Sequence, residues 1–259
     1  MKTTVRLTES AVMLAVAVVL SLIPVVNMPF GGTVTLCSML PIVLIAYRHG
    51  TKWGLLVGLA GSLLQLLLGL NNLSYATSAL AVVAIILFDY VIAFSALGLA
   101  GVFRNVCRTQ TAALTAGVLL CCVLRYACHF VSGVTVWRDI SIPADQAILY
   151  SLGYNAAYMV PETIITLAGA LALSTSLDLR SDRPRAAKTY QGRALVTVLT
   201  LVCIAAAAVA AVALFGAMQT EDGFDVTAVT SSALWTVGVG AIVAAASGIA
   251  AASVAKKNG

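Results

Sequence analysis

The stretch Trp53-Gly-Leu-Leu-Val-Gly-Leu-Ala-Gly-Ser-Leu-Leu-Gln-Leu-Leu-Leu-Gly-Leu70 decides the fold class, because its eighteen residues include no charged side chain. An α-helix needs about twenty apolar residues to cross the ~30 Å hydrocarbon core of a bilayer. The apolar residues form a continuous run here, whereas a membrane-spanning β-strand alternates apolar and polar residues. Since backbone polar groups in lipid must be satisfied internally, the run predicts a transmembrane α-helix.

The same pattern recurs along the 259-residue chain, of which 61% is hydrophobic and only 10% is charged. Soluble domains carry about 25% charged residues. We therefore predict an all-α, polytopic membrane protein with eight spans. The second span is short, so we expect it to be tilted or to cross only part of the bilayer. The predicted spans lie at about residues 9–26, 35–47, 53–70, 76–101, 111–136, 146–177, 194–217 and 228–254.

The basic residues lie in alternate gaps between these spans, which predicts the topology. All of the fifteen Lys and Arg except Arg125 and Arg138 fall in one set of gaps. By the positive-inside rule that set is cytoplasmic, and both termini are predicted to lie there. This placement accounts for the net charge of +5 without a nucleic-acid partner. The cytoplasmic gaps hold Lys2, Arg6, Arg48, Lys52, Arg104, Arg108, Arg180, Arg183, Arg185, Lys188, Arg193, Lys256 and Lys257, and the opposite gaps hold Asn71, Asn72, Arg138, Asp139, Asp145, Glu221, Asp222 and Asp225.

The composition changes after the sixth span, where Asp178 to Arg193 is polar and basic and contains Pro184. We predict three parts: a membrane domain at 1–178, a basic cytoplasmic linker at 179–193 and an appended two-helix transmembrane hairpin at 194–259. The hairpin is rich in Ala and Val, so we expect it to pack without binding a ligand. The chain has no G-x-x-x-x-G-K-[ST] motif with which to hold ATP itself.

Asp89 and Tyr90 are the first candidate binding residues, because an ionisable group at bilayer depth is costly and usually faces a cavity or a partner. Asp89 lies deep in the fourth predicted span. A carboxylate beside an aromatic ring offers a cation both an opposite charge and a π face. The alternative is a purely structural ion pair between Asp89 and Arg125 of the fifth span.

The fifth span carries Arg125, His129 and Gly133 at i, i+4 and i+8, which places them on one helical face. Gly133 leaves room for a ligand ring close to the backbone, and Trp137 continues the stripe toward the outer end. We predict that His129 and Trp137 contact a ligand. The alternatives are a core histidine and a tryptophan of the interfacial aromatic belt.

The sixth span begins with Tyr150, Tyr154 and Asn155, which can border one cavity. Interfacial aromatic residues would explain the two tyrosines without a function, whereas an amide within a span needs partners. Glu162 lies deeper in the same helix. We expect Glu162 to pair with Arg125 or to face a polar interior, without direct ligand contact.

Taken in order, these segments resemble the thiamine-specific substrate-binding (S) component of energy-coupling factor transporters. The resemblance covers about residues 5–178 and excludes the final hairpin. The segments that carry it are Leu7-Thr-Glu-Ser-Ala-Val-Met-Leu-Ala15, Gly31-Gly-Thr-Val-Thr-Leu36, Met39-Leu-Pro41, Arg48-His-Gly50, Phe88-Asp-Tyr-Val-Ile-Ala-Phe94, Gly98-Leu-Ala-Gly101, Arg125-Tyr-Ala-Cys-His-Phe-Val-Ser-Gly133, Trp137, Tyr150-Ser-Leu-Gly-Tyr-Asn155 and Met159-Val-Pro161.

The resemblance implies a six-helix protein of the cell membrane that binds thiamine near the outer face, beneath the loop between the first two helices. The first helix would dock through Ala11 and Ala15 onto a transmembrane coupling subunit driven by two ATPase subunits. Neither covalent chemistry nor a cofactor is implied. Carried over by matching position, the ligand-binding residues would be Asp89, Tyr90, His129, Gly133, Trp137, Tyr150 and Asn155.

This chain departs from the family pattern in two places within the resemblance. Some relatives have Glu where Asp89 stands, so the carboxylate here reaches one methylene less far. The first loop, Asn27-Met-Pro-Phe-Gly-Gly32, lacks the Trp that some relatives use as a lid. The appended hairpin lies outside the pattern altogether.

Free thiamine suits the candidate residues because its thiazolium ring is a permanent cation and its aminopyrimidine needs amide or carboxyl partners. An S component for another vitamin or for a thiamine precursor is the first alternative, and a structural membrane scaffold is another. An intramembrane enzyme would need a nucleophile or a metal, but the sequence has no HExxH or GxSxG motif. The six Cys show no metal-ligand spacing, so we predict no catalytic residue and no metal.

Overall fold

The computed structural model describes residues 3–138, 147–181, 184–186, 192–220, 223–225, 228–229 and 231–258. Within these ranges, seven helices are long and apolar enough to cross a membrane, which confirms the prediction of an all-α, multi-pass membrane protein. Several residues used to predict the topology lie outside the described residues: Lys2, Asp139, Asp145, Arg183, Lys188, Glu221 and Asp222.

The described helices follow the predicted order. They are α1 Thr3–Ser21, α2 Leu40–His49, α3 Thr51–Leu68, α4 Ala79–Arg104, α5 Gln110–Thr135, α6 Ala147–Ser176, α7 Arg193–Met218 and α8 Ser231–Asn258. The short strands pair antiparallel as β1 Pro24–Asn27 with β2 Thr33–Thr35, β3 Leu177–Asp178 with β4 Arg185–Ala186, and β5 Gln219–Thr220 with β6 Gly223–Phe224.

The first two predicted spans are both shorter in the structure. Helix α1 ends at Ser21, and Pro24–Asn27 is a strand, because proline has a fixed φ and no N–H to continue a helix. Helix α2 has 10 residues and is about 15 Å long at 1.5 Å per residue. It therefore covers about half of a hydrocarbon core. We call residues 24–35, which form β1, its turn and β2, the lid loop.

Helix α4 changes its winding along its length. It is α-helical over Ala79–Ile85, π-helical over Ile86–Ile92 and 3₁₀-helical over Ala96–Arg104. Ser78 caps its first turn by accepting a hydrogen bond from the Ala81 N–H at 3.1 Å. The wider π turn contains Asp89, and such turns occur frequently at functional sites.

Close helix packing holds α4 against its neighbours. A Cβ added at Gly54 of α3 would lie 2.7 Å from the Gly98 carbonyl oxygen of α4, and one added at Gly58 would lie 2.9 Å from the Ser95 carbonyl oxygen. Small residues at these points allow the two backbones to approach, as is common between membrane helices. This packing fixes the position of the π turn relative to α3.

A polar network ties the N-terminal part of α1 to the end of α2. Glu9 forms an ion pair with Arg48 and lies 3.2 Å from the His49 ring nitrogen. Arg48 also donates a hydrogen bond to the Leu179 carbonyl oxygen at 2.7 Å. The Arg48 side chain is buried, and its contacts hold α1 near the N-terminal end of that helix. Much of the apolar surface of α1 remains exposed.

Candidate functional site

A cavity of about 580 Å³ lies at the end of the bundle away from the Glu9–Arg48 pair. Its volume falls in the range of roughly 300–1,000 Å³ that is usual for small-molecule sites. The lid loop, the 3₁₀ turn Leu70–Tyr75 and helices α4, α5 and α6 surround it. Among the predicted ligand-binding residues, those that line the cavity are Asp89, Tyr90, His129, Gly133, Trp137 and Asn155.

Asp89 is the only acidic side chain among the described residues that line the cavity. One carboxylate oxygen lies 3.0 Å from His129 Nδ1. The other accepts hydrogen bonds from Ser132 Oγ at 2.7 Å and from Trp137 Nε1 at 3.1 Å. Three groups of α5 and its C-terminal end therefore hold this α4 carboxylate in one orientation.

Arg125 and His129 of α5 form the part of the cavity wall next to Asp89 of α4. The Arg125 guanidinium lies 4.2 Å from the centre of the Phe94 ring, in cation–π geometry. The alternative of a structural ion pair between Asp89 and Arg125 is wrong, because Asp89 pairs with His129. Within the described residues, Arg125 Nε and His129 Nε2 are buried without a hydrogen-bond partner.

Aromatic rings form the outer wall. Tyr75 lies between Phe30 and Trp137, with ring centroids 5.6 Å and 5.8 Å away respectively. Tyr154 also faces the cavity, whereas Tyr150 lies behind it, stacked at a centroid distance of 6.4 Å. Tyr150 therefore supports the lining residue Tyr154 and does not line the cavity itself.

Tyr90 is a fixed part of the wall. Its hydroxyl donates a hydrogen bond to the Gly69 carbonyl oxygen at 3.0 Å and accepts one from Asn72 Nδ2 at 2.9 Å. Only 7% of the residue is exposed, so the ring edge is held between α4 and the turn after α3. The turn residue Asn72 also lies close to the lid loop. A Cβ added at Gly31 would be only 2.9 Å from Asn72 Nδ2.

The polar groups of Asn155 already have partners within the protein. Its Oδ1 accepts a hydrogen bond from the Tyr158 hydroxyl at 2.8 Å, and its Nδ2 donates to the Ser151 carbonyl oxygen at 2.9 Å. Asn155 Nδ2 also reaches the His129 carbonyl oxygen at 3.4 Å. The amide thus links α5 to α6 at the cavity surface.

Glu162 anchors the base of the lid loop. It accepts hydrogen bonds from the Thr35 backbone N–H, from Thr35 Oγ1 at 2.7 Å and from Ser38 Oγ at 3.4 Å. Only 2% of Glu162 is exposed. Of the two expected arrangements, the pairing with Arg125 is absent among the described contacts. Glu162 instead faces the hydroxyl and N–H donors of Thr35 and Ser38.

The turn of the lid loop depends on two glycines with positive φ. The φ angles are 98° at Gly31 and 89° at Gly32, a region that side chains rarely adopt. A Cβ on Gly32 would lie 2.8 Å from the Tyr158 ring. The Tyr154 hydroxyl donates a hydrogen bond to the Gly31 carbonyl oxygen at 2.8 Å, so the turn rests on α6.

Comparison with known proteins agrees with this architecture. The family model described as thiamine transporter protein (Thia_YuaJ) matches residues 7–179. The chain belongs to this family. It is 38% identical over 175 residues to the thiamine transporter ThiT of Bacillus subtilis (strain 168), an alignment that covers 63% of this chain and 87% of the relative. The structure matches that of ThiT from Listeria monocytogenes with a TM-score of 0.54 and 27% identity, covering 67% of this chain and 95% of that one.

These matches confirm the resemblance to thiamine-specific S components and the all-helical membrane fold. The family and the curated relative are transporters, which confirms the prediction of a transport protein in place of an enzyme. In the described part of the chain, no group of three or more His, Cys, Asp or Glu could hold a metal ion.

Several residues that line the cavity or hold its carboxylate were not predicted from the sequence. Tyr75 belongs to a short turn, and Ser132 resembles the many hydroxyl residues that bond their own helix. Ser132 lies three residues after His129, so helical spacing was the one signal that placed it on the same face. Phe30 and Asn72 carried no such signal, since each lies in a loop or turn.

Ala11 and Ala15 lie on the exposed face of α1. Their neighbours on this face include Val12, which is 56% exposed, and Val19, also 56% exposed. Within the described residues, this face of small and branched side chains packs against no other helix of the chain.

Proposed function

We propose that this protein captures thiamine from outside the cell in the cavity beneath the lid loop and passes it inward. The observation that carries the proposal is Asp89, a mostly buried carboxylate among aromatic rings in a cavity of suitable size. A carboxylate and π faces together suit an organic cation, and the thiazolium ring of thiamine is a permanent one. Trp137 and Tyr75 supply rings within reach of that charge.

The proposed ligand-binding residues are Asp89, Tyr90, His129, Gly133, Trp137, Tyr150 and Asn155, of which Tyr150 acts through Tyr154. His129 Nε2 is buried beside the cavity without a partner in the described protein. It is the group that we assign to the aminopyrimidine ring, because a buried polar atom without a hydrogen bond is costly until a ligand supplies one.

Delivery requires partners. We propose that the exposed face of α1, through Ala11 and Ala15, docks on a transmembrane coupling subunit that two ATPase subunits drive. Small residues let a partner helix approach closely in lipid. The cavity then reorients toward the cytoplasm, where both termini also lie. A protease-cleavable tag on either terminus should resist protease in intact cells and be cut after permeabilisation.

Calorimetric titration of the purified protein with thiamine tests the binding step. Asp89→Ala and Trp137→Ala should each weaken binding by at least about 1–2 kcal/mol, since each removes a partner of a desolvated cation. Trp235→Ala is the matched control, because Trp235 is 77% exposed on α8 and is not among the residues that line the cavity. Unchanged affinity in both site variants would remove this assignment, and a panel of other vitamins and thiamine precursors identifies the ligand if thiamine does not bind.

A further inference from the structure

The appended hairpin of α7 and α8 lies beyond the family-matched residues 7–179, yet it contacts the cover of the cavity. Helix α7 packs along α6 and also against strand β1 of the lid loop. Ala211 and Met218 of α7 share one hydrophobic core with Val26 and Met28 of the lid loop. The end of α7 therefore supports one arm of the lid loop directly.

The turn after α7 is tied to the end of the helix that packs on the lid loop. Asp225 donates its backbone N–H to the Met218 carbonyl oxygen at 2.8 Å. Tyr150 stacks on Tyr154, and the Tyr154 hydroxyl bonds the Gly31 carbonyl oxygen at 2.8 Å. The hairpin thus contacts the β1 strand of the lid loop, while α6 holds the tip of the loop.

The burial pattern of α7 shows that this contact belongs to one face. Ala211 is 2% exposed and Met218 is 5% exposed, whereas the adjacent Val212 is 50% exposed. Helix α7 packs against α8, its partner in the hairpin, and also against α6 and β1 of the binding domain.

We propose that the hairpin positions the lid loop over the bound ligand and so sets the rate at which thiamine leaves. This inference rests on the proposed binding function. Opening the lid loop must break its contacts with α7 as well as those with α6, and local opening requires more free energy where more packed contacts are lost. Differences in affinity between related binding sites are mostly differences in dissociation rate.

Dissociation of thiamine from the full-length protein tests the proposal. In the Ala211→Leu variant, the added side chain should push α7 away from α6 and the lid loop, because extra methylenes in a packed core are not accommodated. We expect dissociation at least about fivefold faster, with an association rate changed less than about twofold. Val212→Leu, one residue along on the exposed face, should match the wild type in both rates.

One further variant guards against a folding defect in Ala211→Leu. Met218→Ala removes packing from the core that Met218 shares with Val26 and Met28, and it should also speed dissociation. A wild-type dissociation rate in Met218→Ala, in protein that still binds thiamine, would overturn the proposal. If the wild type itself fails to bind thiamine, the proposed function is the part that is wrong.

Discussion

Replacing Asp89 with Asn tests whether charge, and not shape, holds the ligand. The two side chains have nearly the same size, so the cavity of about 580 Å³ keeps its form. The carboxylate now accepts hydrogen bonds from His129, Ser132 and Trp137. An amide keeps one acceptor oxygen and replaces the other with an NH₂ group, so part of this network is lost along with the charge.

The expected loss has two parts that depend differently on the ligand. A cation about 5 Å from the carboxylate gains about 3 kcal/mol at an effective dielectric constant of about 20, which corresponds to roughly a hundredfold in affinity. That value applies because the Asp89 side chain is only 15% exposed. The disturbed hydrogen bonds cost about 1–3 kcal/mol more, and this second cost does not depend on whether the ligand is charged.

Comparing two ligands separates these parts. Thiamine and a neutral analogue, in which an uncharged ring of the same shape replaces the thiazolium, are each titrated by calorimetry against the wild type and Asp89→Asn. Thiamine should lose about 3 kcal/mol more affinity than the neutral analogue. Equal losses for the two ligands would show that Asp89 acts only through its hydrogen bonds, and the electrostatic argument for this site would be wrong.

Three other substitutions probe the lid loop, its anchor and the docking face. Gly32→Ala should weaken thiamine binding by about 1–2 kcal/mol because of its positive φ, whereas Gly50→Ala, at a similar φ of 88° but in open space, should leave thiamine affinity unchanged in the same titration. Glu162→Gln should cost about 1–3 kcal/mol of stability in thermal unfolding, as one Thr35 donor loses its acceptor; an unchanged melting temperature contradicts this. Ala15→Leu should abolish ATP-driven uptake in vesicles with the coupling subunits yet bind thiamine normally, and normal uptake would remove α1 as the docking face.

Much of the fold could be predicted because lipid imposes one dominant rule on the sequence. Continuous apolar runs such as 53–70 can only be helices, and α3 indeed occupies Thr51–Leu68. The lid loop was not predicted by this rule, because the predicted first span extended to about residue 26. Val25 and Val26 continue the apolar run of α1, but Pro24 cannot continue its helix, and pairing with Thr33–Thr35 makes the segment a strand. Pairing between short segments depends on tertiary contacts that hydropathy does not record.

Some residues of the cavity could likewise be predicted from the sequence, and others could not. Asp89, His129 and Trp137 stood out because polar or amphipathic side chains in a span need a reason to be there, and the structure brings all three together. Tyr75 could not be identified, since an aromatic residue in an outer turn is ordinary. Its place beside Trp137 depends on how the 3₁₀ turn Leu70–Tyr75 folds back over α4.

The way in which Asp89 is held also bears on which cations the cavity suits. An ionised carboxylate has about four acceptor positions, and the contacts with His129, Ser132 and Trp137 fill three of them. A protonated amine would bring three N–H donors into a site with about one free acceptor position on this carboxylate, and donors left unpaired after burial are costly. A thiazolium ring carries its charge on an alkylated nitrogen with no N–H, so it gains the attraction of the carboxylate without needing those acceptors. The preformed network therefore favours a permanently charged ring over an ordinary amine of the same size.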